Sequence, residues 1–175
     1  MTTQHFPILD PYSITETRDA LRDYSQVLGA WLKTCRPRRK HWWHASLRPS
    51  LSGLTTGVIH AGVDIELELD LNEGLLLGRT SNGERLTEKL IGQPAAVFAA
   101  GIREFMLAAG VDRSCIPERT NFNTSGYAGY SAEHAYRLGR AFNATSAAME
   151  LFRANIRRET SPIQLWPHHF DLSMV

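Results

Sequence analysis

The chain has 175 residues, enough for one domain with a sizeable core. An apolar content of 43%, a charged content of 21% and a formal net charge of +1 exclude a disordered polymer and give no global drive toward nucleic acid. Met1 to Asp10 lack the basic-then-apolar pattern of a signal peptide, and no apolar run reaches the ~20 residues of a membrane span, so a cytoplasmic protein with no membrane partner is expected.

In chain order, the spacing predicts a first helix from about Tyr12 to Cys35. Ser13 and Glu16 form a capping-box pattern, and Leu21, Tyr24, Leu28, Trp31, Leu32 and Cys35 recur at helical spacing as one apolar face. Arg36-Pro37 ends it, because proline disfavours helical geometry in the residue before it. Arg36, Arg38, Arg39 and Lys40 then make a short basic run. It reads as an anion or nucleic-acid patch, or as a solvated linker whose cations suit a helix C-terminus; the short run and the neutral chain favour the linker.

From His41 to about Ile91 the period becomes two. Val63, Ile65, Leu67, Leu69 and Leu71 alternate with Asp64, Glu66, Glu68 and Asp70, which predicts a strand with one buried and one acidic face. The acidic row reads as a metal-binding face or, in preference, as a solvated face paired with Arg48 and Arg79. Further strands are expected at Trp42–Leu51, Leu54–His60, Leu75–Thr80 and Arg85–Leu90. The turn-forming connections between them, such as Asn72-Glu73-Gly74, indicate an antiparallel meander.

A second helix is expected at Pro94–Ala109, with proline near its start and Gly110 past its end. A short edge strand at Cys115–Phe122 and a loop at Asn123–Tyr130 follow. Ser131 caps a third helix whose Ala135, Leu138, Phe142, Thr145, Met149, Phe152 and Ile156 form a core stripe. A last strand is expected at Ile163–Met174. The fold class is therefore a single α+β domain over residues 1–175, a mostly antiparallel sheet packed with about three α-helices. Cys35 and Cys115 lie far apart without metal or redox spacing and are expected as two reduced thiols.

His41-Trp42-Trp43-His44 is the most unusual run. On a strand, His41 and Trp43 share one face and Trp42 and His44 the other. With Trp43 turned to the core, His44, Ser46 and Arg48 form a polar row beside Trp42, and an indole next to an imidazole suits a flat or cationic ligand. On the last strand His169 and Asp171 share a face, so Asp171 is placed to orient an imidazole, or to join His44 and His169 as a metal ligand. No motif indicates a cofactor.

Tyr24-Ser25-Gln26-Val27-Leu28-Gly29, His41-Trp42-Trp43-His44, Gly53-Leu54-Thr55-Thr56 and the stretch from Ser161-Pro162-Ile163 to Phe170-Asp171-Leu172 resemble an uncharacterised bacterial family, the domain of unknown function 5996. The resemblance implies a cytosolic bacterial protein with no assigned activity, and marks His41, Trp42, Trp43, His44 and Asp171 as motif positions. It also implies chains that continue beyond the Phe-Asp-Leu segment, so a C-terminally short form is expected.

Three functions follow as expectations. The first is a small-molecule-binding or enzymatic site in which His44 is general base or metal ligand, Asp171 its orienter, Arg48 an anion clamp, and Trp42, Trp43 and His41 ligand contacts. The second is a non-catalytic interaction module meeting another chain or a second copy. The third is weak nucleic-acid binding through residues 36–40.

Overall fold

The computed structural model describes residues 6–118 and 121–175; Met1–His5, at the start of the polar N-terminal stretch, and residues 119–120 of the expected 115–122 strand lie outside it. The α+β expectation holds. Helix α1 spans Thr15–Cys35, α2 Ala95–Ala108 and α3 Ala132–Ala154. The main sheet is antiparallel and contains β1 (Arg48–Pro49), β2 (Gly53–Thr55), β3 (Ile59–Ala61), β4 (Val63–Asp70), β5 (Leu75–Thr80) and β6 (Arg85–Lys89). Its order is β1-β2-β4-β5-β6, with β3 also paired to β4. A separate hairpin joins β7 (Gln164–Trp166) to β8 (Asp171–Ser173).

The alternation in β4 does what it predicts. Ile65, Leu67 and Leu69 are buried against the helices, where Leu21, Leu28, Phe98 and Ile102 complete the core. Tyr24 stacks on Phe98 with ring centroids 4.4 Å apart and donates its hydroxyl proton to the Gln93 carbonyl at 2.8 Å. On the opposite face of β4 the two glutamates are satisfied by hydroxyls, while Asp64 pairs with His60 and Asp70 accepts from the backbone of Asn72 and Glu73. Glu66 accepts from Thr55 Oγ1 at 2.7 Å, and Glu68 accepts from Ser50 Oγ and Ser52 Oγ at 2.6 Å each.

The expected strand at Leu54–His60 is broken into β2 and β3, laid end to end along β4. At the break, Thr56 donates its backbone N–H to the Leu67 carbonyl, and its Oγ1 accepts from Leu67 N at 3.0 Å, so a side chain replaces a ladder bond. The guanidinium of Arg36 reaches the same break and donates to the carbonyls of Thr56 and Val58. The first member of the basic run is thus an internal tie.

Several local expectations are corrected. No strand covers 42–45: Lys40–Ala45 forms a tight 3₁₀ segment, with His41 at φ 54° and Trp42 at φ 60°. Left-handed backbone at two successive non-glycine residues is strained and breaks a ladder. The expected last strand is instead the β7–β8 hairpin, since Pro167 cannot donate to a ladder and Phe170 turns the chain at φ 59°. Among the described residues, 115–122 hold no strand; Arg113–Cys115 is a 3₁₀ turn. The capping box does not form, because Asp10 accepts from Ser13 N and Glu16 instead accepts from Gly129 N. On α3 only Ala135, Leu138 and Gly139 are buried; Leu151 and Phe152 are 72% and 63% exposed. The stripe is real, but the helix outruns the sheet that covers its first half.

Candidate functional site

The 3₁₀ segment is held from below by His44, which is 3% exposed. Its Nδ1 accepts from the Arg39 backbone N–H at 3.2 Å. An acceptor at Nδ1 leaves the ring proton on Nε2, the neutral tautomer. Burial first, then the nearby positive charges of Arg38, Lys33, Arg36 and Arg39, push the His44 pKa below its ordinary value.

Trp42 stacks on this neutral imidazole, with centroids 5.5 Å apart and planes 24° from parallel. The indole stays 46% exposed. Lys33 Nζ lies 5.2 Å and Arg38 Cζ 4.7 Å from its ring centre, both at cation–π distance. The pairing of alternate residues expected for a strand therefore survives in a different backbone. His41 and Trp43 form the other pair, at 5.7 Å.

Trp42 forms one wall of a cleft of about 890 Å³. Gly29, Ala30, Lys33 and Thr34 of α1 line a second side, and Arg113, Ser114, Ile116, Pro117 and Glu118 a third. Trp166, Pro167 and His168, from the end of β7 and the turn after it, complete it. Gly29 allows this closure: a Cβ there would sit 2.9 Å from Pro167 Cγ. Trp166 is fixed by its Nε1–H, which donates to Ser173 Oγ at 2.6 Å, and it meets His168 edge-on at 6.2 Å.

The run faces two ways. His41 and Trp43 line a separate cleft of about 860 Å³, with Glu150, Arg153, Arg158 and Glu159 opposite. The Trp43 Nε1 there is buried without a hydrogen-bond partner among the described residues.

Of the other candidate residues, Asp171 is exposed on β8 opposite Trp166 and lies outside the lining of both clefts. His169 is exposed and packs on His168 at 4.2 Å. Arg48 is exposed on β1 opposite Thr55. His44 stands behind Trp42 rather than in the cleft lining. Among the described residues no group of three or more His, Cys, Asp or Glu is placed to hold a metal ion, so His44, His169 and Asp171 are not gathered into one.

Trp166, His168 and the 113–118 segment escaped the sequence reading. The available signal was Pro167, which interrupts a run otherwise readable as one strand. Cys35 and Cys115 also meet: Cys35 Sγ donates to the Cys115 carbonyl at 3.3 Å.

The cleft offers two indole walls, two cations, Lys33 and Arg113, and one carboxylate, Glu118, among its described lining residues. Such a lining suits a flat apolar body carrying negative charge. No described helix is long and apolar enough to cross a membrane. A family model, described as a family of unknown function, matches residues 6–175. No curated protein and no solved structure matches the chain.

Proposed function

The chain belongs to the DUF5996 family of unknown function, and from its own geometry we propose that it binds a small anion with a flat apolar body in the Trp42–Trp166 cleft. The carrying observation is the occupied environment of Trp42. Lys33 and Arg38 already stand over the indole, so a cationic ligand would meet like charge, while an anion would find its counter-charges in place. His44 serves as the support of that indole and not as a base, because its Nδ1 is engaged and its ring is covered.

The test compares 1-naphthoate with its uncharged amide by titration calorimetry. The carboxylate should bind about tenfold or more tightly than the amide, equivalent to about 1.4 kcal/mol. Its affinity should fall with added salt. Equal affinities, or binding that persists in Trp42→Ala, would remove the proposal.

A second reading, a protein-interaction module, is supported by Leu151 and Phe152 standing exposed on the overhanging half of α3. Sedimentation of the wild type and of Leu151→Glu separates the two readings: self-association lost in the variant would favour this one, and a monomer at every concentration would count against contact with a second copy.

A further inference from the structure

We propose that Cys35 and Cys115 form a reversible disulfide that clamps one side of the Trp42–Trp166 cleft and lowers its affinity for the anion; the regulatory half of this inference rests on the cleft reading above. The two cysteines are 80 positions apart. Cys35 closes α1 and Cys115 ends the 3₁₀ turn Arg113–Cys115. The Cys35 thiol donates to the Cys115 carbonyl at 3.3 Å, which brings its sulfur up against the Cys115 residue itself. Both are free in this structure.

Their neighbours give the pair its relevance. Lys33 and Thr34 precede Cys35 and line the cleft from α1. Ser114 and Ile116 flank Cys115 and line it from the opposite bank. That bank is already moored behind Cys115, where Asp112 N donates to the Ala61 carbonyl at 3.0 Å. Drawing the two sulfurs into a covalent bond, about 2.05 Å long, ties together the banks that carry Thr34 and Ser114 and narrows the cleft between them. The indole walls are on other elements and stay where they are.

The chemistry needs hydrogen peroxide as oxidant. Cys35, the more accessible thiol, attacks a peroxide oxygen. A sulfur–oxygen bond forms, the oxygen–oxygen bond breaks, and the thiol proton leaves with the departing oxygen as water. The Cys115 thiol then attacks the sulfenic sulfur; the sulfur–sulfur bond forms and a second water leaves. Two thiols give up two electrons and the peroxide accepts them. Burial, reinforced by Cys115, pushes the Cys35 thiol well above its ordinary pKa, which makes this a slow response to sustained oxidant.

The experiment treats the full chain with millimolar hydrogen peroxide and follows mass, free thiols and 1-naphthoate affinity. The expected product is a monomer with both thiols lost as an internal disulfide, slower hydrogen exchange in residues 113–118, and affinity lowered by about tenfold until dithiothreitol restores it. Cys35→Ser and Cys115→Ala should each keep their affinity through the treatment; two variants at different positions guard against misfolding of one. A disulfide between chains, a sulfinic product, or an internal disulfide with unchanged affinity would overturn the inference. If reduced protein fails to bind 1-naphthoate, the cleft reading falls and the regulation with it. Mass and exchange would still report the clamp separately.

Discussion

The Arg39 backbone N–H donates to His44 Nδ1 at 3.2 Å, and that bond fixes the tautomer of the neutral imidazole on which Trp42 stacks. A ring that accepts at Nδ1 cannot also carry a proton there. Protonating His44 therefore breaks the contact and places a charge among Arg38, Lys33, Arg36 and Arg39.

This gives a pH dependence. The folded pKa of His44 lies below its unfolded value of 6.5, so as pH falls below about 6.5 the unfolded chain takes up the proton first. The stability contribution is complete above that value and is lost as pH falls toward the folded pKa. Chemical denaturation of wild type and His44→Asn at pH 7.5 and 5.5 measures it. The wild type should lose more stability than the variant over this interval; equal losses would show that His44 does not titrate as described.

Trp42→Ala should separate binding from folding. The side chain is half exposed, so its loss should cost about 1 kcal/mol of stability, within the ordinary range for such sites. 1-Naphthoate binding should disappear. Thermal melts with and without the ligand check both halves.

Arg36→Ala should destabilise more than its surface position in a basic run suggests. The guanidinium donates to two carbonyls at the break between β2 and β3; the Val58 carbonyl can turn to water, but leaving that of the buried Thr56 unpaired should cost about 1–3 kcal/mol. Arg38→Ala lacks such ties and should leave stability nearly unchanged while weakening the anion's binding. Urea titrations rank the two.

Gly29→Ala should act on the cleft through packing alone. The new methyl would meet Pro167 Cγ at 2.9 Å and Cβ at 3.2 Å, and a pyrrolidine ring cannot swing aside as a long side chain can. A cost of about 1–3 kcal/mol is expected, with weaker ligand binding as Pro167 is displaced. An unaltered melting temperature and affinity would show that the hairpin yields freely.

Much of the scaffold was legible because its cause is local. β4 announces itself by strict alternation, and Leu75–Thr80 is found with the bounds expected for it. α2 follows from Pro94 and Gly110. The cleft was legible only in part, because most of its causes are not local. Trp42 and His44 were paired correctly, yet the backbone that pairs them is left-handed at His41 and Trp42, which no alternation pattern can signal. Trp166 and His168 reach the site through a hairpin whose turn was read as strand. A periodic stripe on α3 shows which face is apolar and says nothing of how far a neighbour extends to cover it.

Arg36 has a last consequence. It lies six positions before Trp42 and is fastened to the carbonyls of Thr56 and Val58, at the interruption in the sheet. The segment between helix and sheet is therefore anchored to the sheet at its start, so that its unfolding is expected to accompany that of the strands. Trp42 emission and backbone circular dichroism should trace one coincident, cooperative melt, and this short stretch should resist proteases as long as the sheet itself persists.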